Sequence, residues 1–287
     1  MSAIILDGKK LANKILEELK TEIGKLNVQI ELAIVLVGSD PPSVSYVNQK
    51  QKTGKTIGID VKIYNYEKNI STRKLREEIN KLNKNKKITG IIVQLPLPNT
   101  INTESILDAV NPKKDVDVLN RESVGRLYKN KSKVLPPTIA GIKKILEEYK
   151  IECRGKNIAI VGYGILVCKP ATIIFANEGA SIFVVRSSTK SIEEILKQAD
   201  IIISGVGKPN LITKNMLKKD AVVVDAGTSI SEQRTANNKQ YKKIIVGDVA
   251  EDVKDVAKYI TPVPGGVGPM TVAMLFWNLL ELIKNGS

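Results

Sequence analysis

Residues 156–164, KNIAIVGYG, decide the fold class. The unbroken apolar run at 158–161 marks a strand buried on both faces, and the glycines behind it mark a turn. A helical pattern follows. Strand, glycine turn and helix form the context in which a dinucleotide fingerprint acts. Gly162 can make the tight turn, Gly164 lets backbone approach a phosphate, and the helix amino end supplies N–H groups and a positive dipole. Val167 stands where the fingerprint has its third glycine, so a plain strand-to-helix turn is the competing reading of this stretch.

Downstream, further strands rich in Val and Ile are expected in ASIFVVRS (180–187), ADIIISGVG (199–207), AVVVDAG (221–227) and KKIIVGD (242–248). Upstream, Leu11, Ile15, Leu16, Leu19 and Ile23 have helical spacing, and IELAIVLVGSD (30–40) reads as a buried strand. A helix carrying Tyr46 and Lys50 comes next, then strand DVKIYNY (60–66), a helix over 72–84, and strand ITGIIVQLPLP (88–98) closed by prolines. Such alternation predicts parallel sheets covered by helices, hence an α/β protein. A boundary is placed near residue 140. Residues 1–139 form a first α/β domain, completed by a carboxyl-terminal helix over 271–287, and residues 140–270 form a Rossmann-like doubly wound parallel sheet.

A chain of 287 residues is long enough for two such domains. It contains no histidine, which removes imidazole-dependent triads and zinc sites and leaves proton transfer to Lys, Tyr, Asp or Glu. The only cysteines, Cys153 and Cys168, form no Cys-x-x-Cys motif and point to a reducing, cytoplasmic compartment. No apolar run approaches the roughly 20 residues of a membrane span, so no membrane partner is expected. The net charge of +14 comes from scattered lysines interleaved with acids, and nothing resembles a nucleic-acid-binding motif.

Several short patterns carry chemistry. In SVSYVNQK (43–50), Tyr46 and Lys50 lie four apart and so share one helix face. In KDVDVLN (114–120), Asp115 and Asp117 alternate and point the same way if extended; nothing nearby completes a metal shell, and no metal site is expected. TPVPGGVGPMT (261–271) reads as a shaped loop bringing backbone close to a ligand. After the second strand of the later domain stand Arg186, Ser187 and Ser188 with no acid, which favours NADP over NAD. TGKT (53–56) mimics the end of a P-loop, but Gln49 occupies the required glycine position.

Taken together, SVSYVNQK, IIVQLPLP, KDVD, VGRL, PPT, VGYG, ADIIISGVGKP, GDV and ITPVPGGVGPMTVAML resemble the bifunctional methylenetetrahydrofolate dehydrogenase/cyclohydrolase (FolD) family, in that family's order and over nearly the whole chain. The resemblance implies oxidation of 5,10-methylenetetrahydrofolate with NADP, NAD being the second candidate, and then hydrolysis to 10-formyltetrahydrofolate. That places the chain in one-carbon metabolism and purine biosynthesis, as a homodimer joined through the second domain, with a folate cleft between domains. Lys50 matches the family's catalytic lysine, Tyr46 its active-site tyrosine, Gln94 the glutamine that assists the lysine and Asp117 the aspartate that holds the pterin. Ser43, Val93, Leu95 and the loop Pro264, Gly265, Gly266, Val267 and Gly268 match the folate side; Gly162, Tyr163, Gly164, Arg186, Ser187 and Thr228 are the candidate cofactor-side residues.

The departures lie mainly at the cofactor. Where the family reads G-R-S-x-x-V-G-K-P this chain has GYGILVCKP, so the arginine that contacts the NADP phosphate is replaced by Tyr163 and a glycine by Cys168. Arg186 is the expected substitute charge. Val118 and Asn120 also stand where the family has glycine and often histidine. Two alternatives follow: a member retaining only the cyclohydrolase, and a folate-binding protein without turnover.

Overall fold

The computed structural model describes residues 2–26, 28–234 and 241–284. In chain order the elements are β1 (Ile4–Ile5), α1 (Gly8–Gly24), β2 (Glu31–Val37), α2 (Pro41–Thr56), β3 (Asp60–Tyr66), α3 (Thr72–Lys84), β4 (Ile88–Val93), α4 (Thr103–Leu107) and α5 (Arg121–Tyr128). They continue as α6 (Pro137–Glu148), β5 (Asn157–Val161), α7 (Cys168–Asn177), β6 (Ser181–Val185), α8 (Ile192–Gln198), β7 (Ile201–Ser204), β8 (Val222–Asp225), β9 (Ser229–Arg234), β10 (Tyr241–Val246), β11 (Tyr259–Ile260) and α9 (Val267–Lys284). Contacts divide the chain into two compact units, Met1–Ala12 with Thr138–Thr271 and Asn13–Pro137 with Val272–Ser287. Of the domain limits expected above, Met1 and the last three residues of the 271–287 helix lie outside the described residues.

In the unit containing β5, six parallel strands run in the order β1-β11-β8-β7-β5-β6. The chain lays β6 on one side of β5 and then crosses to lay β7 and β8 on the other, which makes the carboxyl end of β5 the switch point where such sheets bind ligands. The glycine turn leaves the sheet there. Buried Ala159, Val161, Ile202 and Val223 build one side of this core with Leu196 and Val253.

Two features differ from the sequence reading. Strand β1 pairs with β11, Ile4 opposite Tyr259, so the first residues belong to this sheet rather than to the first domain. A strand of two residues has no periodicity to reveal it. Residues 242–248 were expected to supply another parallel strand; instead β10 pairs antiparallel with β9 in a separate hairpin. Its apolar pair, Ile230 opposite Ile245, is at least half exposed on both sides, so the Ile-rich run is the face of a two-stranded ribbon.

The second unit has a three-stranded parallel sheet, order β3-β2-β4. All seven residues of the central strand β2 are buried, as expected of a strand covered on both faces. Ala33, Val35 and Val37 share a core with Leu75, Ile79 and Leu82, whose spacing defines the inner stripe of α3. Ser71 caps that helix by accepting from the Lys74 N–H at 3.2 Å.

Helix α9 is long and apolar enough to cross a membrane by length and composition, but 56 % of it is buried within the protein. Its Asn278 donates to the carbonyls of Val116 at 2.9 Å and Leu135 at 2.7 Å. A Cβ at Gly90 of β4 would stand 2.5 Å from Leu279 Cδ1, so the missing side chain is what lets this helix seat on the sheet.

TGKT lies within α2, and Gly54 has a packing role: a Cβ there would sit 2.4 Å from Val61 Cγ2 and 3.3 Å from the Ile59 carbonyl oxygen. Gly54→Ala is therefore expected to lower stability by ~1–3 kcal/mol through overpacking, despite the higher helix propensity of alanine. Gly125→Ala in α5, where the new methyl meets no neighbouring atom within 4 Å, should stabilise by up to about 1 kcal/mol. Urea unfolding midpoints of the two variants should move in opposite directions.

Candidate active site

Helix α2 brings Lys50 to the carboxyl end of the three-stranded sheet. Asp40 begins it as N-cap, accepting from Ser43 N at 3.2 Å and Ser43 Oγ at 2.9 Å, and Pro41 and Pro42 fill the first turn, where no backbone donor is needed. The buried Ser43 has thus given its hydroxyl hydrogen to the cap and offers a ligand only lone pairs. One turn on, Tyr46 is 39 % exposed; a further turn on, Lys50 is half-buried.

Lys50 Nζ donates to Gln94 Oε1 at 3.1 Å. Gln94 is fixed in turn. It follows Val93, the buried last residue of β4; its backbone N–H donates to Val35 O at 2.9 Å and its Nε2 to Leu95 O at 2.8 Å. Asp115 adds a parallel bridge beside Ile91, and two residues on comes Asp117. Burial lowers the pKa of Lys50 while the negative field of Asp117 opposes that shift. Burial likewise pushes Asp117 up to about 6, with Lys50 pulling it down and Asp115 adding to the rise. Each group is the other's counter-charge in a site that favours neutrality for both.

Asp115 is buried and accepts the Asn120 N–H at 2.8 Å, holding the turn that follows Asp117. Among the described residues no group of three or more His, Cys, Asp or Glu side chains is placed to hold a metal ion. Within the turn Val118 has φ of 60°, a left-handed conformation that costs a β-branched residue strain, at the position where the resembled family has glycine. Asn120 caps α5 and donates to the carbonyls of Asp108 and Val110, at 3.1 Å and 3.0 Å.

The other unit holds the cofactor-side residues. Gly162 has φ of +112°, and a Cβ there would lie 2.9 Å from Cys168 Sγ, so no larger residue fits the turn. Gly164 is open, and α7 begins without a side-chain cap on its N–H groups. Tyr163 is 45 % exposed, with Arg186 Cζ 5.0 Å and Lys169 Nζ 5.2 Å from its ring centroid. Arg186 is set by a turn with Thr189, N–H to Oγ1 at 2.8 Å, that contains the exposed Ser187. Thr228 is exposed between Gly227, whose N–H donates to Asp225 at 2.9 Å, and Ser229, whose Oγ donates to Gly207 O at 2.7 Å.

In the 261–271 loop Gly265 has φ of +109°, and its carbonyl accepts from Lys9 N at 2.7 Å. A Cβ at Gly266 would stand 2.6 Å from Pro262 O, so the glycines shape this turn between Pro264 and the start of α9 at Val267 and Gly268.

The structure therefore gathers Lys50, Gln94 and Asp117 in one unit and Tyr163 with Arg186 in the other. Three residues escaped the sequence reading. Lys169 lies in the CKP of a motif already quoted and shows a role only through the ring of Tyr163 in the same turn, and Asp248 lies in GDV and shows one only through Ser204 across the sheet. Gly205 supplies the closeness that Val167 denies: a Cβ on it would be 3.0 Å from Val167 Cγ1.

The tetrahydrofolate dehydrogenase/cyclohydrolase catalytic domain matches residues 6–117, and the NAD(P)-binding domain of that family matches residues 136–287. The chain is 43 % identical over 285 residues to the bifunctional protein FolD of a Nitratiruptor species, covering 98 % of each. It is 42 % identical over 288 residues to that of Thermodesulfovibrio yellowstonii, covering 99 % of this chain and 98 % of the relative. Among solved structures, the bifunctional FolD enzyme of Campylobacter jejuni superposes with a TM-score of 0.90 at 39 % identity and 99 % coverage of both chains. The dehydrogenase-cyclohydrolase of Trypanosoma brucei, complexed with NADP and an inhibitor, gives 0.92 at 32 % identity, covering 99 % of this chain and 98 % of the other.

The paired shifts of Lys50 and Asp117 can be separated by mutation. Asp117→Asn removes the charge that holds Lys50 up, so the Lys50 pKa should fall further below 10.5. A carbon-13 NMR titration of the lysine Cε reads this; an unmoved pKa would show that the two side chains do not share a field.

Proposed function

The chain belongs to the tetrahydrofolate dehydrogenase/cyclohydrolase family, and from that premise we propose how its residues oxidise 5,10-methylenetetrahydrofolate and hydrolyse the product to 10-formyltetrahydrofolate. The observation that carries the reading is Lys50, lowered in pKa, bonded to Gln94 at 3.1 Å and facing Asp117. NADP, when bound, supplies the nicotinamide that takes a hydride from the methylene carbon. The residues of the glycine turn fit that group: Gly162 makes the tight turn and Gly164, with no atom near its Cβ position, leaves room for backbone approach, although of the first-turn groups of α7 Lys169 N already donates to Gly164 O at 3.0 Å and Pro170 has no N–H. Arg186 and Lys169 flank Tyr163 at the carboxyl ends of β5 and β6, where they would face the adenosine ribose and its phosphate.

Loss of hydride leaves a delocalised methenyl cation. Water adds to its carbon, and Lys50 Nζ, with a neutral fraction raised by burial, takes the proton that the attacking water loses. Opening of the carbinolamine then returns a proton to the departing ring nitrogen and yields the formyl group, with one proton released overall. Gln94 Oε1 engages one Nζ hydrogen without adding charge, which leaves the amine lone pair free to turn toward water. Asp117 accepts pterin N–H groups, and Tyr46, exposed one turn before Lys50, lays its ring against the pterin. In the unit of Lys50, Val93 and Leu95 flank Gln94 on the folate side and Ser43 orders the start of α2; the Pro264, Gly265, Gly266, Val267 and Gly268 turn of the other unit is the loop we assign to folate.

A protein retaining only the cyclohydrolase is not favoured, because the glycine turn keeps both its tight conformation and its open phosphate side. We assign the enzyme to the cytoplasm, which the free thiols of Cys153 and Cys168 support, and its product to purine biosynthesis. We also infer a homodimer through the second domain, where β6 ends the sheet order and presents an edge.

Lys50→Met should retain folding but lower hydrolysis of supplied methenyltetrahydrofolate at least ~100-fold, the scale expected for loss of a proton-transfer group. Absorbance of the methenyl compound measures this; undiminished hydrolysis would remove Lys50 from the mechanism. In the dehydrogenase assay, Arg186→Ala should raise KM for NADP much more than KM for NAD. Equal effects would deny Arg186 a role in reading the phosphate.

A further inference from the structure

Two buried carboxylates lie behind the carboxyl ends of β7 and β8, outside the proton chemistry described above. Asp248 is wholly buried and Asp225 almost so. Asp225 accepts from the backbone N–H groups of Gly227 at 2.9 Å, Asp248 at 3.1 Å and Val249 at 3.0 Å, and thereby aims the segment that follows β10. From that segment Asp248 reaches forward. Its Oδ2 accepts Ser204 Oγ and Val206 N, both at 2.7 Å, and its Oδ1 accepts Lys208 N at 2.8 Å.

The packing is built around this pair. A Cβ at Gly227 would fall 2.2 Å from the Asp248 carboxylate, and one at Gly247 would fall 2.0 Å from Asp225 Oδ2. The loop they hold, residues 205–208, borders the glycine turn: a Cβ at Gly162 would lie 3.2 Å from Val206 Cγ2, and Ser229 ties Gly207 to the strand behind Thr228. Val206 is 46 % exposed there, an apolar surface beside the phosphate turn. Two like charges buried together are a poor device for stability alone, since each pays desolvation and they repel. They are a good device for fixing several backbone donors to one geometry, because an ionised carboxylate accepts from all its lone-pair directions.

We propose that Asp248 is a positioning residue for the dehydrogenase: it orders loop 205–208 as one wall of the dinucleotide site, with Asp225 aiming it. This rests on the function proposed above. Because the cyclohydrolase reaction needs no nicotinamide and its proposed residues Lys50, Gln94 and Asp117 lie in the other unit, the two activities of one purified protein separate positioning from general damage.

The test is NADP affinity and both activities for Asp248→Asn and Gly227→Ala. The amide of the first turns a donor toward a backbone N–H, and the methyl of the second displaces the carboxylate while keeping its charge. NADP Kd, followed by tryptophan and NADPH fluorescence, should rise at least ten-fold in both, with methenyltetrahydrofolate hydrolysis within twofold of the parent protein. Ser204→Ala, which leaves the two backbone bonds of Asp248, should raise Kd less than threefold. Unchanged NADP affinity in Asp248→Asn and Gly227→Ala, or an equal fall in both activities, would overturn the inference. Absence of NADP turnover in the parent protein would instead overturn the proposed function, and this inference with it; parent turnover with unmoved variants overturns the inference alone.

Discussion

Burying an ammonium beside a carboxylate at the end of a parallel sheet is the constraint around which the catalytic unit is built. Burial drives the lysine down and the aspartate up, and their mutual field opposes both shifts, so each would be shifted further without the other. That balance demands close placement. It is met by an N-capped α2, by Gly54 letting that helix close on β3, and by a Gln94 whose backbone and side chain are both pinned. The strained turn at Val118 is part of the same arrangement, since the buried Asp115 holds the backbone just beyond Asp117.

The dinucleotide unit solves a different problem with related means. A cofactor must be met by backbone and must also leave, so its wall is made of loops at the switch point of the sheet. Loops at such a place have few packing partners and need fixing from behind. Here buried carboxylates do this, collecting N–H groups of loops that follow different strands. At the turn after β5, Tyr163 has Arg186 and Lys169 5.0 Å and 5.2 Å from its ring centroid.

How far these features were legible in the chain depends on their range. Runs such as IAIV and ELAIVLV announce strands because burial on both faces leaves no polar position, and the 75, 79, 82 spacing announces the face of α3. Tyr46 and Lys50 share a helix face for the same local reason. The residues that complete the motifs lie far away in sequence. Arg186 is brought to Tyr163 by pairing of β5 with β6, and Asp248 reaches Ser204 across a separation of 44 residues. The hairpin of β9 and β10 misled because a run of Ile and Val has the same composition whether it is buried in a parallel sheet or displayed on a ribbon.

The amino-acid sequence by itself determined the α/β class, the existence of a dinucleotide turn, the absence of imidazole chemistry and the family to which the chain belongs. All of these follow from local periodicity, backbone requirements of glycine, or the order of short motifs. Tertiary structure alone decided which strand joined which sheet, that Gly54 of TGKT is a packing contact, that Asp115 holds the turn while Asp117 acts on the lysine through its field, and that Asp225 and Asp248 collect backbone N–H groups from loops after different strands. Those outcomes depend on burial and on hydrogen-bond partners from distant segments, and a side chain's pKa and role are set by that environment rather than by its neighbours along the chain.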